Sequence, residues 1–374
     1  MSQLATDEPQ YTVRRFTPND VADVLELYEE VWYHERTGEW LEWRFGANPL
    51  VDDVQMIVAE AEGTVVGTEP ALVFRLRAGD QRVTAYQPAD WMVHPEHRRR
   101  GVFSRMTESF LETFGNRTEL YFNFPSEVLV PGLEKFDWTI TPPRSTRYRI
   151  QDPAAILARR NGDGTMGATM LRAVARAATP LSRGYLHVRD RLAITNGVTV
   201  ERHDSIPASA FVSAYERGVP DALHVERDEP FYGWRFENPL WETTAYLARR
   251  DGDVEMGVVT ATEERSGVPI TSILEVVPLD GSAGAVAYGA LLQAIVSDAR
   301  DAALIQVSGD VIPEAVARRF GFLSTNEYPL SRVTNQPPLA VRPADERLDS
   351  WHIGPYDPTN QADWHLSLAD RDVA

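Results

Sequence analysis

Short apolar runs set off by turn residues divide the chain into strands and helices. Tyr11–Phe16 reads as a strand, and further strands fall near Val54–Ala61, Val65–Leu76 and Val83–Val93. Ahead of the second strand, Asn19-Asp20 offers a cap for a helix carrying Val24, Leu25 and Tyr28 at helical spacing, and a short helix lies around Trp40–Phe45. A helix over Val102–Phe114, a strand at Leu120–Phe124, a short helix at Pro131–Phe136 and a strand at Thr139–Ile150 complete the series. The order is β-α-α-β-β-β-α-β-α-β.

This series occurs twice. Trp43-Arg44-Phe45-Gly46-Ala47-Asn48-Pro49-Leu50 returns as Trp234-Arg235-Phe236-Glu237-Asn238-Pro239-Leu240, one residue shorter. Each copy is followed by an apolar segment and a turn, Met56–Ala59 before Glu62-Gly63 and Ala245–Ala248 before Asp251-Gly252, which read as hairpins. Val93-His94-Pro95 corresponds to Val276-Val277-Pro278, with Gly101 and Gly284 each six residues beyond the proline. Gly132–Trp138 has a weaker echo in Ala317–Phe322. The second copy runs from Val198 to about Arg332, with a long helix at Ala285–Arg300 and a strand at Ala303–Val307. Trp43 and Trp234 read as core packing. Between the copies, Met170, Leu171, Val174 and Ala177 resemble one face of a connecting helix, and Trp351, Trp364 and Leu366 are expected to anchor the tail against a domain.

Length agrees with duplication, since 374 residues exceed one ordinary core. The expected domains are 1–150, a helical linker 151–197, a second domain 198–335 and a tail 336–374. No run of about 18 apolar residues could span a bilayer, and the first ten residues lack a secretory signal, so the chain reads as cytoplasmic. With no cysteine, disulfides, thiolate metal sites and a cysteine nucleophile are excluded. The formal net charge is −18, and Lys135 is the single lysine among the 37 basic residues. Such an acidic, lysine-poor chain reads as adapted to high salt and disfavours nucleic acid as a partner.

One segment carries chemistry. An apolar strand ends at Val93, a turn containing Pro95 follows, and the basic run Arg98-Arg99-Arg100 meets Gly101 where an amphipathic helix begins. Backbone N–H groups at a helix N-terminus lack intrahelical partners and favour anions, a glycine permits close approach, and arginines add charge-assisted bonds. The segment resembles the acyl-CoA signature V-x-P-x-x-[Q/R]-x-x-G-x-[G/A] of the GNAT (Gcn5-related N-acetyltransferase) superfamily at Val93, Pro95, Arg98 and Gly101, with Phe103 in place of the final small residue. The resemblance implies two tandem GNAT folds of mixed α/β class, the second degenerate. It implies a V-shaped cleft between the strands ending at Val93 and at Phe124. Main-chain contacts to acetyl-CoA, or another acyl-CoA, would come from Met92, Val93 and Asn123, and phosphate contacts from Arg98, Arg99, Arg100, Gly101, Val102, Phe103 and Ser104. The tandem arrangement and the His-Arg-Arg-Arg-Gly sequence also resemble the Eis-like branch of multi-domain acetyltransferases.

In the second copy Asp280 and Gly281 stand where His97 and Arg98 stand in the first, so loss of cofactor binding is expected there. The implied reaction moves an acyl group to an amine of a small molecule or peptide and needs a base and an acid. Helix Pro131–Phe136 has no tyrosine to serve as the acid. Ser126, Tyr121 and Tyr86 are the nearby candidates for it, and Asp90, Glu127 and His94 for the base, with Asp90 and Ser126 preferred. A carboxylate in an apolar strand needs a reason, catalysis or satisfaction by backbone donors or Arg98. Two other readings stay open: a non-catalytic acyl-CoA sensor or scaffold, and a Fem-like aminoacyl or peptidyl transferase. Gly162–Gly167 matches G-x-G-x-x-G but follows a helix, which argues against a dinucleotide site. His94 and His97 lack the further ligands of a metal site. The sequon at Asn116-Arg117-Thr118 reads as a helix-ending loop.

Overall fold

The computed structural model describes residues 10–160, 166–191, 197–309, 311–345 and 351–372. In chain order the first half runs β1 (Tyr11–Arg15), α1 (Val21–Trp32), α2 (Gly38–Leu41), β2 (Met56–Ala61), β3 (Thr64–Ala78), β4 (Gln81–Pro88), β5 (Met92–Val93), α3 (Val102–Phe114), β6 (Leu120–Asn123), α4 (Val130–Glu134) and β7 (Thr139–Pro143). The chain continues through β8 (Thr146–Ile150), α5 (Pro153–Arg160), α6 (Met166–Arg191), β9 (Thr199–His203), α7 (Ala208–Arg217), β10 (His224–Val225), α8 (Glu229–Arg235) and β11 (Glu242–Arg250). Then come β12 (Asp253–Arg265), β13 (Val268–Val277), α9 (Ala285–Asp298), β14 (Leu304–Ser308), α10 (Glu314–Arg319), β15 (Leu323–Ser324) and β16 (Pro338–Pro343). The fold is mixed α/β. Among the described residues no helix is long and apolar enough to cross a membrane.

The chain divides into two compact units, Met1–Thr141 with Leu339–Thr359, and Pro142–Pro338 with Asn360–Ala374. In the first, the sheet order is β1-β2-β3-β4-β6-β16-β7, with β5 pairing β3. In the second it is β15-β8-β14-β13-β12-β11-β9. These memberships differ from the expected boundaries at 150 and 336. The single strand expected over Thr139–Ile150 is two strands: β7 ends at Pro143, where Pro142-Pro143 leaves no backbone donors to carry the ladder on, and β8 begins at Thr146. Thr146–Ile150 then pairs antiparallel with β14. The tail, read as an appendage, supplies β16, whose Ala340 and Val341 lie opposite Asn123 and Phe122 of β6. Each sheet thus takes in a strand from a distant stretch of sequence. Trp364 and Leu366 are buried as expected, whereas Trp351 is half-buried. Residues 161–165 of the glycine-rich turn lie outside the described residues, as do the side chains of Met170, Leu171 and Val174, and Ala177 is exposed.

In the first unit, α3 lays Val102, Met106, Phe110 and Phe114, spaced by four, onto the sheet, where they join Ile57, Val73, Tyr86 and Tyr121 in one core. Two contacts bring α3 close to β3. At Gly67 an added Cβ would lie 2.9 Å from Met106 Sδ and 3.2 Å from the carbonyl oxygen of Met92. Two residues on, Glu69 is buried and accepts a hydrogen bond of 2.8 Å from Thr107 Oγ1. Burial pushes the Glu69 carboxyl up to about 8, opposed by its bonds with Trp91 and Thr107.

Gly67→Val should destabilise the first unit by about 1–3 kcal/mol through overpacking, read as a lower denaturation midpoint. Because the folded value of Glu69 lies above its ordinary 4.5, its protonation favours the folded form, and that contribution is lost as pH rises towards about 8. Glu69→Gln should therefore melt near wild type at pH 5 but at least about 3 °C higher at pH 9. Identical pH profiles for the two proteins would contradict the assignment.

Candidate acyl-CoA site

The site begins with a fault in the sheet. Strand β3 pairs with β4 up to Ala71–Pro88 and with β5 at Thr68–Met92, so Ala89, Asp90 and Trp91 lie opposite only Glu69 and Pro70. This is a β-bulge, which bends the strand and re-aims the residues beyond it. At its centre Asp90 has φ 47°, the left-handed region that a non-glycine residue enters at a cost. Its carboxylate is held: Oδ2 accepts from Arg44 Nε at 2.7 Å and from the Tyr28 hydroxyl at 2.9 Å. Arg44 is 1% exposed and Tyr28 3%. Burial, and then the charge of Asp90, hold the Tyr28 phenol well above its ordinary value, so it remains a donor. The partners of Asp90 are thus Arg44 and Tyr28. Arg98, proposed from sequence, instead gives its Nε to the Val93 carbonyl at 2.9 Å.

The cleft opens just ahead of the bulge. Strands β4 and β6 run parallel and pair at Ala85–Leu120 and Tyr86–Tyr121, while β5 is carried by β3. Past Tyr86 and Tyr121 the two chains part, leaving Met92-Val93 on one side and Phe122-Asn123 on the other. Met92 and Asn123 are buried, and Asn123 Oδ1 accepts from the Phe124 amide at 2.5 Å. These are the main-chain positions expected from the signature.

At the mouth, Pro95–His97 makes a 3-10 turn, Arg99 and Gly101 take φ of 61° and 75°, and α3 starts at Val102. Two left-handed residues, one on each side of Arg100, swing the chain so that the helix N-terminus faces outward. Arg98, Arg99, Arg100 and Gly101 are exposed or nearly so, Ser104 is half-buried and Val102 is buried. Phe103 lies 6.4 Å from the Trp91 ring and 6.2 Å from Phe136, and Gly132 makes room for it, since a Cβ there would sit 3.0 Å from its ring. His97 is hydrogen-bonded to the Tyr11 hydroxyl at 3.1 Å, and burial, with His94 and Arg100 close by, lowers its proton affinity. Beside the turn, a cavity of about 500 Å³ is lined by Asp23, Glu26, Glu30, Glu62 and Glu96 against Arg100 and both histidines, a mainly acidic balance that disfavours phosphate. Among the described residues no cluster of three or more metal-ligating side chains occurs.

Two candidate acids fall away. Tyr86 and Tyr121 sit in the core beneath α3, 3% and 0% exposed, with their rings 6.4 Å apart. Ser126 is exposed, just ahead of α4, where its carbonyl accepts from the amides of Leu129 and Val130. Asp90 and Ser126 follow the same ends of two parallel neighbours, β4 and β6. Glu127 is exposed, and His94 Nε2 pairs with Glu30 at 3.3 Å. Sequence reasoning missed Arg44, Tyr28 and Glu69. Arg44 was legible as the polar centre of the repeated Trp-Arg-Phe, and Glu69 as a carboxylate within an apolar strand, the same signal that singles out Asp90.

The second unit is built differently at the same places. Gly281 has φ 71°, Asp280 Oδ1 caps the Ser282 amide at 2.9 Å, and Gly284 before α9 has φ −67° where Gly101 has 75°. Strands β13 and β14 pair from Ile270–Leu304 to Ile273–Val307. Where they end, the tail enters: Ser308 Oγ donates to the Leu366 carbonyl at 3.0 Å, and Ser367 Oγ to Glu275 at 3.3 Å. The fully buried Arg227 bridges Glu275 at 2.7 Å and Asp370 at 2.8 Å. Arg235, the repeat counterpart of Arg44, donates to the carbonyls of Ala369 and Arg371 at 2.7 and 2.6 Å.

A family model for an acetyltransferase (GNAT) domain matches residues 12–141. Comparison with curated proteins gave no match. Solved structures with a similar fold include a GCN5-related N-acetyltransferase from Anabaena variabilis, at 11% identity and TM-score 0.59, covering 90% of this chain and 73% of that one. A probable N-acyltransferase from Enterococcus faecalis is alike at 13% identity, TM-score 0.59 and the same coverage. Eis1 from Mycobacterium abscessus is alike at 14% identity and TM-score 0.50, covering 90% and 74%. The bulge, the parted parallel strands and the arginine turn all fall within residues 12–141, the stretch that matches the acetyltransferase (GNAT) domain, and the chain as a whole has a fold of two GNAT-like halves.

Proposed function

We propose that the first unit binds an acyl-CoA, acetyl-CoA in the first instance, and transfers its acyl group to an amine of a small molecule or peptide. The observation that carries this reading is the cleft between Met92-Val93 and Phe122-Asn123, with Arg98 to Gly101 and the N-terminus of α3 at its mouth. Backbone N–H groups and arginines there suit a pyrophosphate, and the parted strands offer main-chain groups to a pantetheine. In the reaction the amine nitrogen attacks the thioester carbonyl, a C–N bond forms and the C–S bond breaks. The amine gives up a proton and the departing thiolate gains one. Asp90, through Oδ1, is the candidate acceptor of the amine proton, and Ser126 the candidate hydroxyl near the leaving sulfur. We place the protein in the cytoplasm of a salt-adapted cell, on its acidic, lysine-poor composition.

The second unit enters this proposal without a cofactor. Asp280 at its turn would oppose a pyrophosphate, and residues 366–370 lie where β13 and β14 part. One observation favours a second reading, an acyl-CoA sensor: Asp90 is already engaged by Arg44 and Tyr28, and Tyr86 and Tyr121 are buried away from the cleft.

Arg98→Glu with Gly101→Glu should abolish acetyl-CoA binding in calorimetry while leaving a folded protein, and unchanged affinity would refute the site. Incubation with acetyl-CoA and a broad amine panel should release free thiol with at least one acceptor, whereas binding without turnover across the panel would establish the sensor.

A further inference from the structure

The repeated Trp-Arg-Phe places a buried arginine at the same point of each copy, and the two arginines do different things. Arg44 and Arg235 are both 1% exposed. Arg44 is fixed on an aromatic platform, its guanidinium carbon 5.5 Å from the Trp40 ring and 5.4 Å from the Phe45 ring, with Tyr28 edge-on to Trp40 at 5.1 Å. From there it reaches Asp90, the one left-handed residue of the bulge. In the second copy Arg235 bonds to tail carbonyls, and β13, although it too carries an extra residue at Leu274 opposite Val259–Thr260, continues to Val277 with no left-handed residue along it. The arginine that meets a carboxylate thus accompanies the strained bulge and the arginine turn, and the one that does not accompanies neither.

We propose that Arg44 is a positioning residue of the acyl-CoA site: by gripping Asp90 it holds the bulge that turns Met92-Val93 away from β6 and fixes the opening into which the cofactor fits. The inference rests on the reading that the first unit binds acyl-CoA. Its physical basis is mutual constraint. A left-handed aspartate relaxes towards ordinary backbone geometry unless something holds it. Separating a buried guanidinium from its anion is costly, so the pair constrains both residues. Tyr28, kept protonated by burial, supplies the second bond to the same oxygen. Arg44 acts on the backbone through Asp90 and itself touches no substrate atom.

The test is acetyl-CoA affinity by calorimetry, with the melting temperature followed in parallel, for the full chain and for Arg44→Met, Tyr28→Phe and the double variant Arg44→Met/Asp90→Gly. Arg44→Met should weaken binding by about tenfold or more, and Tyr28→Phe by about threefold. Glycine enters the left-handed region without an anchor and the double variant leaves no buried charge, so its affinity should return to within about threefold of wild type. A merely structural arginine predicts the opposite split: a lowered melting temperature with unchanged affinity in Arg44→Met, and no rescue by glycine. Either result overturns the proposal. If Arg44→Met is recovered unfolded, Tyr28→Phe and the double variant decide, since unchanged affinity in the first or an unrescued loss in the second is equally fatal. Wild type that fails to bind acetyl-CoA would overturn the functional reading and this inference together, whereas wild type and Arg44→Met binding equally would overturn this inference alone.

Discussion

The first unit depends on one ion pair, a buried arginine on a half-buried aspartate, at a fault in its sheet. Strands β4 and β6 are parallel neighbours, and parallel neighbours left undisturbed continue their ladder. A cleft requires that something end it. Here the ladder stops at Tyr86–Tyr121 and the bulge at Ala89–Trp91 follows, with Asp90 in a costly left-handed state that the Arg44–Asp90 contact of 2.7 Å holds. Everything downstream inherits that choice: where Met92 and Val93 point, where the arginine turn emerges, and how α3 comes to lie with its N-terminus at the mouth. Glu69 and Gly67, across the bulge, set how closely α3 approaches β3.

The second unit shows what the same scaffold does without that pair. Its turn carries Asp280 and Gly281, and the parting of β13 and β14 is met by the chain's own residues 366–370. Buried charge is balanced there too, with Arg227 between Glu275 and Asp370, but it secures a peptide segment instead of an opening. Burial pushes the Glu275 carboxyl up to about 7, against the pull of Arg227. Both units thus bury their Trp-Arg-Phe segment, while its arginine takes a different partner in each.

Much of the first unit is legible in the sequence, and the exceptions have physical causes. The helix over Val102–Phe114 is legible to the residue, because four apolar side chains at a spacing of four specify one buried face. The arginine turn is legible because its chemistry is local: a proline, three arginines and a glycine act within a few residues of each other. Strand membership is not. The pattern of Thr146–Ile150 reads as part of a strand without saying which sheet receives it, Pro338–Pro343 in its proline-rich tail does not read as a strand at all, and the partners of both lie more than a hundred residues away. The end of β7 at Pro143 could have been anticipated from Pro142-Pro143 themselves. Arg44 is easily overlooked because the tryptophan and phenylalanine beside it give a sufficient reason for burial, and its partner lies 46 residues on. Tyr86 and Tyr121 lie near the cleft in sequence and so suggest themselves as acids, yet alternation along β4 and β6 turns both into the core.

The central claim is that a duplicated fold retains one acyl-CoA site, in the first unit. Amide hydrogen exchange of the full chain with and without acetyl-CoA tests it most directly. Added protection should be confined to Met92–Ser104 and Phe122–Phe124, with the second-copy turn over Val276–Ala287 unchanged. Protection at Val276–Ala287, or none at Met92–Ser104 at saturating acetyl-CoA, would contradict it.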